Sequence, residues 1–261
     1  MSFSFAETGS RNSELSLVFL HGIGGGRSVF EPQLEYFASK YRCLAWDMPG
    51  YGGSPALEET CFAALSAALD DFLDQQVVEN PVLIGHSIGG MVAQEWVARY
   101  STVLSGLVLY ATSPAFGRSD GDFQKRFIAE RLSPIRNGRS MPDLAEEIVE
   151  SLIGQSVHAN VRARAVQCMS AVPESVYADM MKCLVTFERR RDLGNIACPT
   201  LVLAGDKDTN APAAMMKKMA DRIPGAQFAC VDDAGHLINL EQPDQFNRIV
   251  ESFLLQLNPN S

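Results

Sequence analysis

The stretch that decides the fold runs Pro81-Val82-Leu83-Ile84-Gly85-His86-Ser87-Ile88-Gly89-Gly90-Met91-Val92-Ala93-Gln94-Glu95-Trp96-Val97-Ala98. An apolar run ends in Gly-x-Ser-x-Gly, and a helix-like pattern follows at once. A strand that turns directly into a helix leaves no room for side chains at the flanks of the turn. Gly85 and Gly89 let the two backbones approach, and the turn holds Ser87 in a strained conformation at the end of the strand. A glycine-rich turn with an incidental serine would carry the same five residues. The strand before it and the helix after it favour the tight elbow.

Outward from this point, short apolar runs alternate with helical patterns. Strands are expected at Leu15 to Leu20, Cys43 to Trp46, Val82 to Ile84, Leu104 to Leu109, Thr200 to Ala204 and Phe228 to Val231. Helices fall between them, at about Val29 to Ser39, Glu58 to Gln75, Ile88 to Tyr100, Pro212 to Arg222 and Pro243 to Leu257. That alternation predicts an α/β fold whose mostly parallel central sheet is flanked by helices. The alternation stops between Thr112 and Cys198, where only helical patterns occur. Asp143 with Glu146 reads as a capping box, Asn160 as a helix cap, and Pro173 as a first-turn residue. The expected organisation is a core of residues 1–112 and 199–261 with a helical cap of residues 113–198. A cap inserted after a strand's carboxyl end covers the crevice where open α/β sheets bind ligands.

A serine hydroxyl needs a base, a carboxylate that orients the base, and N–H donors where negative charge develops. His236, in Asp233-Ala234-Gly235-His236-Leu237, lies in the loop after the last strand and is the candidate base. The remaining histidines read differently: His21 and His86 as structural wedges in glycine-rich turns, His158 as a surface residue. The loop Gly205-Asp206-Lys207-Asp208 leaves the fifth strand and offers two carboxylates. Asp206 could instead brace the turn through backbone N–H groups. Asp232 and Asp233 rank third. The donor candidates are the N–H groups of Ile88, directly after Ser87, and of Ile23 in His21-Gly22-Ile23-Gly24-Gly25-Gly26, with Gly24 second. Phe123, Phe127, Met169, Met180, Met181 and Phe187 are candidate pocket residues, although each also suits ordinary core. Arg162 or Arg164 could meet a substrate carboxylate.

His21-Gly22-x-Gly24, Asp47-Met48-Pro49-Gly50-Tyr51-Gly52-Gly53-Ser54, Gly85-His86-Ser87-Ile88-Gly89-Gly90, Gly205-Asp206-Lys207-Asp208 and Gly235-His236 occur in that order over nearly the whole chain. Together they resemble the α/β-hydrolase superfamily in its helically capped, serine-dependent form. The resemblance implies an α/β-hydrolase fold, a Ser87, Asp208, His236 triad, an oxyanion hole at Ile23 and Ile88, and substrate contacts at Gly24, Phe123, Phe127, Met180 and Met181. It also implies that no metal or organic cofactor is needed. The segment His236-Leu237-Ile238-Asn239-Leu240-Glu241-Gln242-Pro243 is similar to enol-lactonases and ring-cleavage-product hydrolases of aromatic catabolism. Haloalkane dehalogenases and epoxide hydrolases of this fold carry aspartate where Ser87 stands. Carbon–carbon bond hydrolases of the meta-cleavage type often show Gly-Gly-Gly-Pro-Gly and a tryptophan after the histidine. This chain has Ile23-Gly24-Gly25-Gly26-Arg27 and Leu237.

The expected activity is hydrolysis of a small carboxylic ester or lactone. The competing expectations are carbon–carbon bond cleavage of a ring-fission diketone on the same triad, and a slow-turnover ligand receptor. A net charge of −9 with no basic stripe disfavours nucleic acid as a partner. The run Arg189-Arg190-Arg191, flanked by Glu188 and Asp192, reads as a solvated helical turn. Six cysteines at scattered spacing read as buried thiols of a reducing compartment. No secretory signal or membrane-length apolar run is visible, so a cytoplasmic location is expected. Oligomeric state is left open, a homodimer included.

Overall fold

The computed structural model describes residues 2–100, 104–117, 121–154 and 157–257. Among them the strands are β1 (Phe5–Thr8), β2 (Ser16–Leu20), β3 (Arg42–Trp46), β4 (Val82–His86), β5 (Gly106–Tyr110), β6 (Thr200–Gly205) and β7 (Gln227–Val231). They form one sheet in the order β1-β3-β2-β4-β5-β6-β7. β1 runs antiparallel to β3, and every other neighbouring pair is parallel. The apolar runs of the inner strands are buried along nearly their whole length, as strands covered on both faces require. β1 escapes sequence reading because Phe5-Ala6-Glu7-Thr8 is a short edge strand. Its place is fixed by pairing with β3 and by Phe5 packing edge-on to Phe72, ring centroids 5.5 Å apart.

The helices are α1 (Glu31–Phe37), α2 (Phe62–Gln75), α3 (Ile88–Arg99), α4 (Asp122–Arg136), α5 (Met141–Glu150), α6 (Ala159–Ser170), α7 (Glu174–Leu184), α8 (Ala213–Ala220), α9 (Ile238–Glu241) and α10 (Pro243–Leu257). α2 packs on α3 and α1 on α10, two helix pairs that cover the sheet. Helices α4 to α7 stand between β5 and β6, with α5 packed on α6 and α4 on α7.

Several local expectations are corrected. The capping box of α5 pairs Ser140 with Asp143, because the helix starts at Met141 and so leaves Asp143 in the third position. Asn160 lies inside α6, which starts at Ala159 after His158. Pro173 immediately precedes α7 rather than sitting in its first turn. Arg189 is not on a helix; its guanidinium pairs with Glu95 of α3 at 2.7 Å. Cys230 is exposed, because β7 is an edge strand with one uncovered side. His158 is exposed, as expected.

The sheet order positions the site. From β2 the chain moves to β3 on one side, then crosses to β4 on the other. The carboxyl ends of β2 and β4 are therefore neighbours, with Leu20 paired to Gly85. A crevice opens at such a switch point.

Candidate active site

Ser87 sits between β4 and α3 with φ 51° and ψ −119°. This left-handed conformation is costly for a non-glycine residue and persists only where its surroundings enforce it. They do so here by exclusion. A Cβ at Gly85 would lie 2.5 Å from the Gly90 Cα, and one at Gly89 would lie 2.3 Å from the Leu20 carbonyl oxygen. Polar contacts add to this: the Ser87 N–H donates to the Tyr110 carbonyl at 3.1 Å, and the Thr112 hydroxyl donates to the Ser87 carbonyl at 2.6 Å.

His236 follows β7, and Asp208 follows β6. Parallel strands bring these loops to the same end of the sheet as Ser87. His236 Nε2 lies 3.0 Å from Ser87 Oγ, and its Nδ1 lies 2.8 Å from Asp208 Oδ2. The carboxylate accepts from Nδ1–H, so Nε2 keeps its lone pair for the serine hydroxyl. Asp208 Oδ1 accepts from the Asn210 and Ala211 N–H groups at 2.8 and 3.0 Å. Burial raises the Asp208 pKa, but the His236 hydrogen bond and charge, with those amides, outweigh it and hold the carboxyl below its ordinary value. Asp206 instead braces the turn, accepting from the Ala234 N–H at 3.2 Å and pairing with Lys207. Asp232 and Asp233 are exposed.

Glu241 is a residue that sequence reading left unassigned. Its buried carboxylate accepts from Gly235 at 3.0 Å, Leu237 at 2.9 Å and Gly154 at 2.7 Å. The first two N–H groups flank His236, and the third belongs to the segment after α5. Burial holds the Glu241 pKa above its ordinary value, against the pull of those three amides. The signal was the segment from His236 to Pro243, where a carboxylate on α9 can reach back over one turn.

The opposite wall is the loop after β2. His21 Nδ1 contacts the Gly22 carbonyl at 2.8 Å, and its Nε2 accepts from the Met48 N–H at 3.0 Å. A carbonyl cannot donate and an amide cannot accept, so the proton is on Nδ1. Complete burial lowers the His21 pKa and keeps the ring neutral. The Tyr51 hydroxyl donates to the Ile23 carbonyl at 2.9 Å. The N–H groups of Ile23, Gly24 and Ile88 have no partner among the described residues. Ile88 opens α3, whose free amides concentrate positive potential at Ser87. Burial pushes His86 down to about 3, and its neutral Nε2–H donates to the His236 carbonyl at 2.9 Å.

A cavity of about 450 Å³ opens onto Ser87 and His236. Gly24, Phe123, Phe127, Met169 and Met181 line it, together with Ile23. Met180 is buried but does not line it, because successive residues of a helix point about 100° apart and α7 turns Met181 inward. Phe187 packs on Phe62 instead, ring centroids 4.5 Å apart. Arg162 pairs with Glu150, and Arg164 pairs with Glu31 at 2.8 Å. The arginine that does line the cavity is Arg131, and its signal in the sequence is its place one helical turn after the candidate pocket residue Phe127. No group of three or more metal-ligating side chains occurs among the described residues.

The profile of the alpha/beta hydrolase family matches residues 17–249. Over 242 residues the chain is 27% identical to 3-oxoadipate enol-lactonase 1 of Acinetobacter baylyi, covering 92% of this chain and 88% of that protein. It is also 27% identical over 253 residues to the pimeloyl-[acyl-carrier protein] methyl ester esterase of Chromobacterium violaceum, covering 96% and 97%. A malate-bound thermophilic esterase from Thermogutta terrifontis superimposes with a TM-score of 0.89 at 26% identity, covering 98% of this chain and 93% of that one.

Proposed function

Since the chain belongs to the alpha/beta hydrolase family, we propose that it is a serine hydrolase that cleaves a small carboxylic ester or lactone through an acyl-enzyme. The observation that carries this reading is the 3.0 Å contact between His236 Nε2 and Ser87 Oγ on the wall of the cavity, beside unpartnered amides. Esterase and enol-lactonase relatives support it at low identity.

In this reading His236 takes the Ser87 proton as the hydroxyl oxygen attacks the carbonyl carbon. Asp208 holds the imidazole tautomer and stabilises the cation that forms. The Ile23 and Ile88 N–H groups receive the oxyanion, each contributing about 2.7–4 kcal/mol to the transition state. His236 returns the proton to the leaving alcohol, or to the ring-opened oxygen of a lactone. Water, deprotonated by His236, then releases the acid. Residues 113–198 act as the cap that shapes the acyl pocket. The mostly apolar lining suits a hydrocarbon chain, and the volume lies in the range of about 300–1,000 Å³ usual for small-molecule pockets.

A panel of nitrophenyl esters, lactones and enol-lactones assayed with wild type and Ser87→Ala tests the reading. Turnover of at least one class, reduced by several orders of magnitude in the folded variant, is the expected result. Undiminished turnover in Ser87→Ala refutes it.

A further inference from the structure

Arg131 is the one permanently charged side chain among the described residues that line the cavity. Among those described lining residues there is no Asp, Glu or Lys. Arg131 projects from the third turn of α4, half-buried, and has no ion-pair partner among the described residues. Its guanidinium lies over the Phe127 ring, 5.5 Å from the centroid, one helical turn away. A cation over a ring face uses none of its N–H donors in an ion pair.

On α7, which packs against α4, Tyr177 lines the same cavity. Its side chain is 1% exposed, and its hydroxyl is a buried polar atom without a hydrogen-bond partner. A buried hydroxyl left unpaired costs about 1–3 kcal/mol by protein mutational data. An unpaired cation and an unpaired hydroxyl on one apolar wall, facing the sheet end that carries Ser87, call for an acceptor supplied from outside the chain. Burial raises the Tyr177 pKa, against the nearby Arg131 charge, so the phenol remains a donor.

We infer that Arg131 and Tyr177 form a carboxylate-binding subsite, so that the ester or lactone taken by this protein carries a second, free carboxylate on its acyl part. The inference rests on the hydrolase reading for the ester and adds the anionic group. One guanidinium edge and one hydroxyl match the two oxygens of a monoanion. A phosphate dianion would leave its second charge uncompensated against Phe127, Ile148 and Met181. A wholly neutral substrate would leave the cation and the hydroxyl unpaired.

The test uses mono-para-nitrophenyl adipate and para-nitrophenyl hexanoate, which differ only in a terminal carboxylate against a methyl group. Wild type is expected to favour the adipate in kcat/KM by about tenfold or more, mainly through KM. Arg131→Gln is expected to bring that ratio close to one, and Tyr177→Phe to lower it in part. A binding arm works without turnover: monomethyl adipate and dimethyl adipate are titrated calorimetrically into Ser87→Ala and into Ser87→Ala with Arg131→Gln. The expected preference for the monoester should vanish with Arg131. Loss of turnover on both esters with the binding preference intact rejects the hydrolase reading and keeps the subsite. Ser87-dependent turnover at a ratio that Arg131→Gln leaves unchanged rejects the subsite and keeps the hydrolase. No preference for the monoester in either arm also overturns the inference.

Discussion

The imidazole of His21 and the carbonyl of Gly22 are 2.8 Å apart, and that contact orients the amide on the far side of the same peptide. A trans peptide directs its C=O and N–H in opposite senses. His21 Nδ1 and the Gly25 N–H, the latter at 3.0 Å, both hold the Gly22 oxygen and so fix the peptide that carries the Ile23 N–H on the cavity wall. His21 is thus a positioning residue for one proposed oxyanion donor. His21→Ala should lower kcat about 10- to 100-fold while changing KM little, since the donor matters most when charge has developed. Steady-state kinetics beside a thermal melt separate this from unfolding. A rise in KM with kcat intact would count against it.

Glu241 ties the His236 loop to the segment after α5 through three backbone N–H groups. Glu241→Gln replaces one acceptor oxygen with an amide that faces donors, leaving buried N–H groups unpaired at about 1–3 kcal/mol each. Stability and kcat should both fall.

The same residue gives a pH signature. Its folded pKa is raised above 4.5, so the native state holds the proton more tightly than the unfolded chain. Its contribution is fully present below pH 4.5 and is lost as pH rises through the folded value. Urea unfolding at a series of pH values should show wild type losing stability relative to Glu241→Gln as pH rises through this window. Parallel curves would contradict the assignment.

Asp208→Asn should keep the fold and lose about 10³- to 10⁴-fold in kcat, because an amide stabilises the wrong imidazole tautomer. A loss under tenfold would point to Asp206.

Gly89→Ala places a methyl group 2.3 Å from a backbone oxygen of β2, where no side chain can move aside. Destabilisation of about 1–3 kcal/mol or more is expected by chemical denaturation. A neutral effect would mean that the elbow is not held by this approach.

Much of this architecture was legible because strong local signals agreed. The elbow needs its glycines, the inner strands need continuous apolar runs, and each loop carrying Asp208 or His236 follows such a run. What stayed hidden depends on tertiary placement. β1 is a four-residue edge strand whose pairing alone defines it. Met180 and Met181 look equivalent in sequence until the helix phase separates them. Arg162 and Arg164 are held by carboxylates of other helices, Glu150 of α5 and Glu31 of α1, which only the packing brings to them. Arg131 and Tyr177 share a cavity wall only because α4 packs against α7.

Rapid quenching of the protein with para-nitrophenyl acetate, followed by peptide mass mapping, bears most directly on the acyl-enzyme. One acetyl group should appear on the peptide containing Ser87 and be absent from Ser87→Ala. Nitrophenol release by folded Ser87→Ala at the wild-type rate, or acetyl found only elsewhere in the chain, would contradict the account.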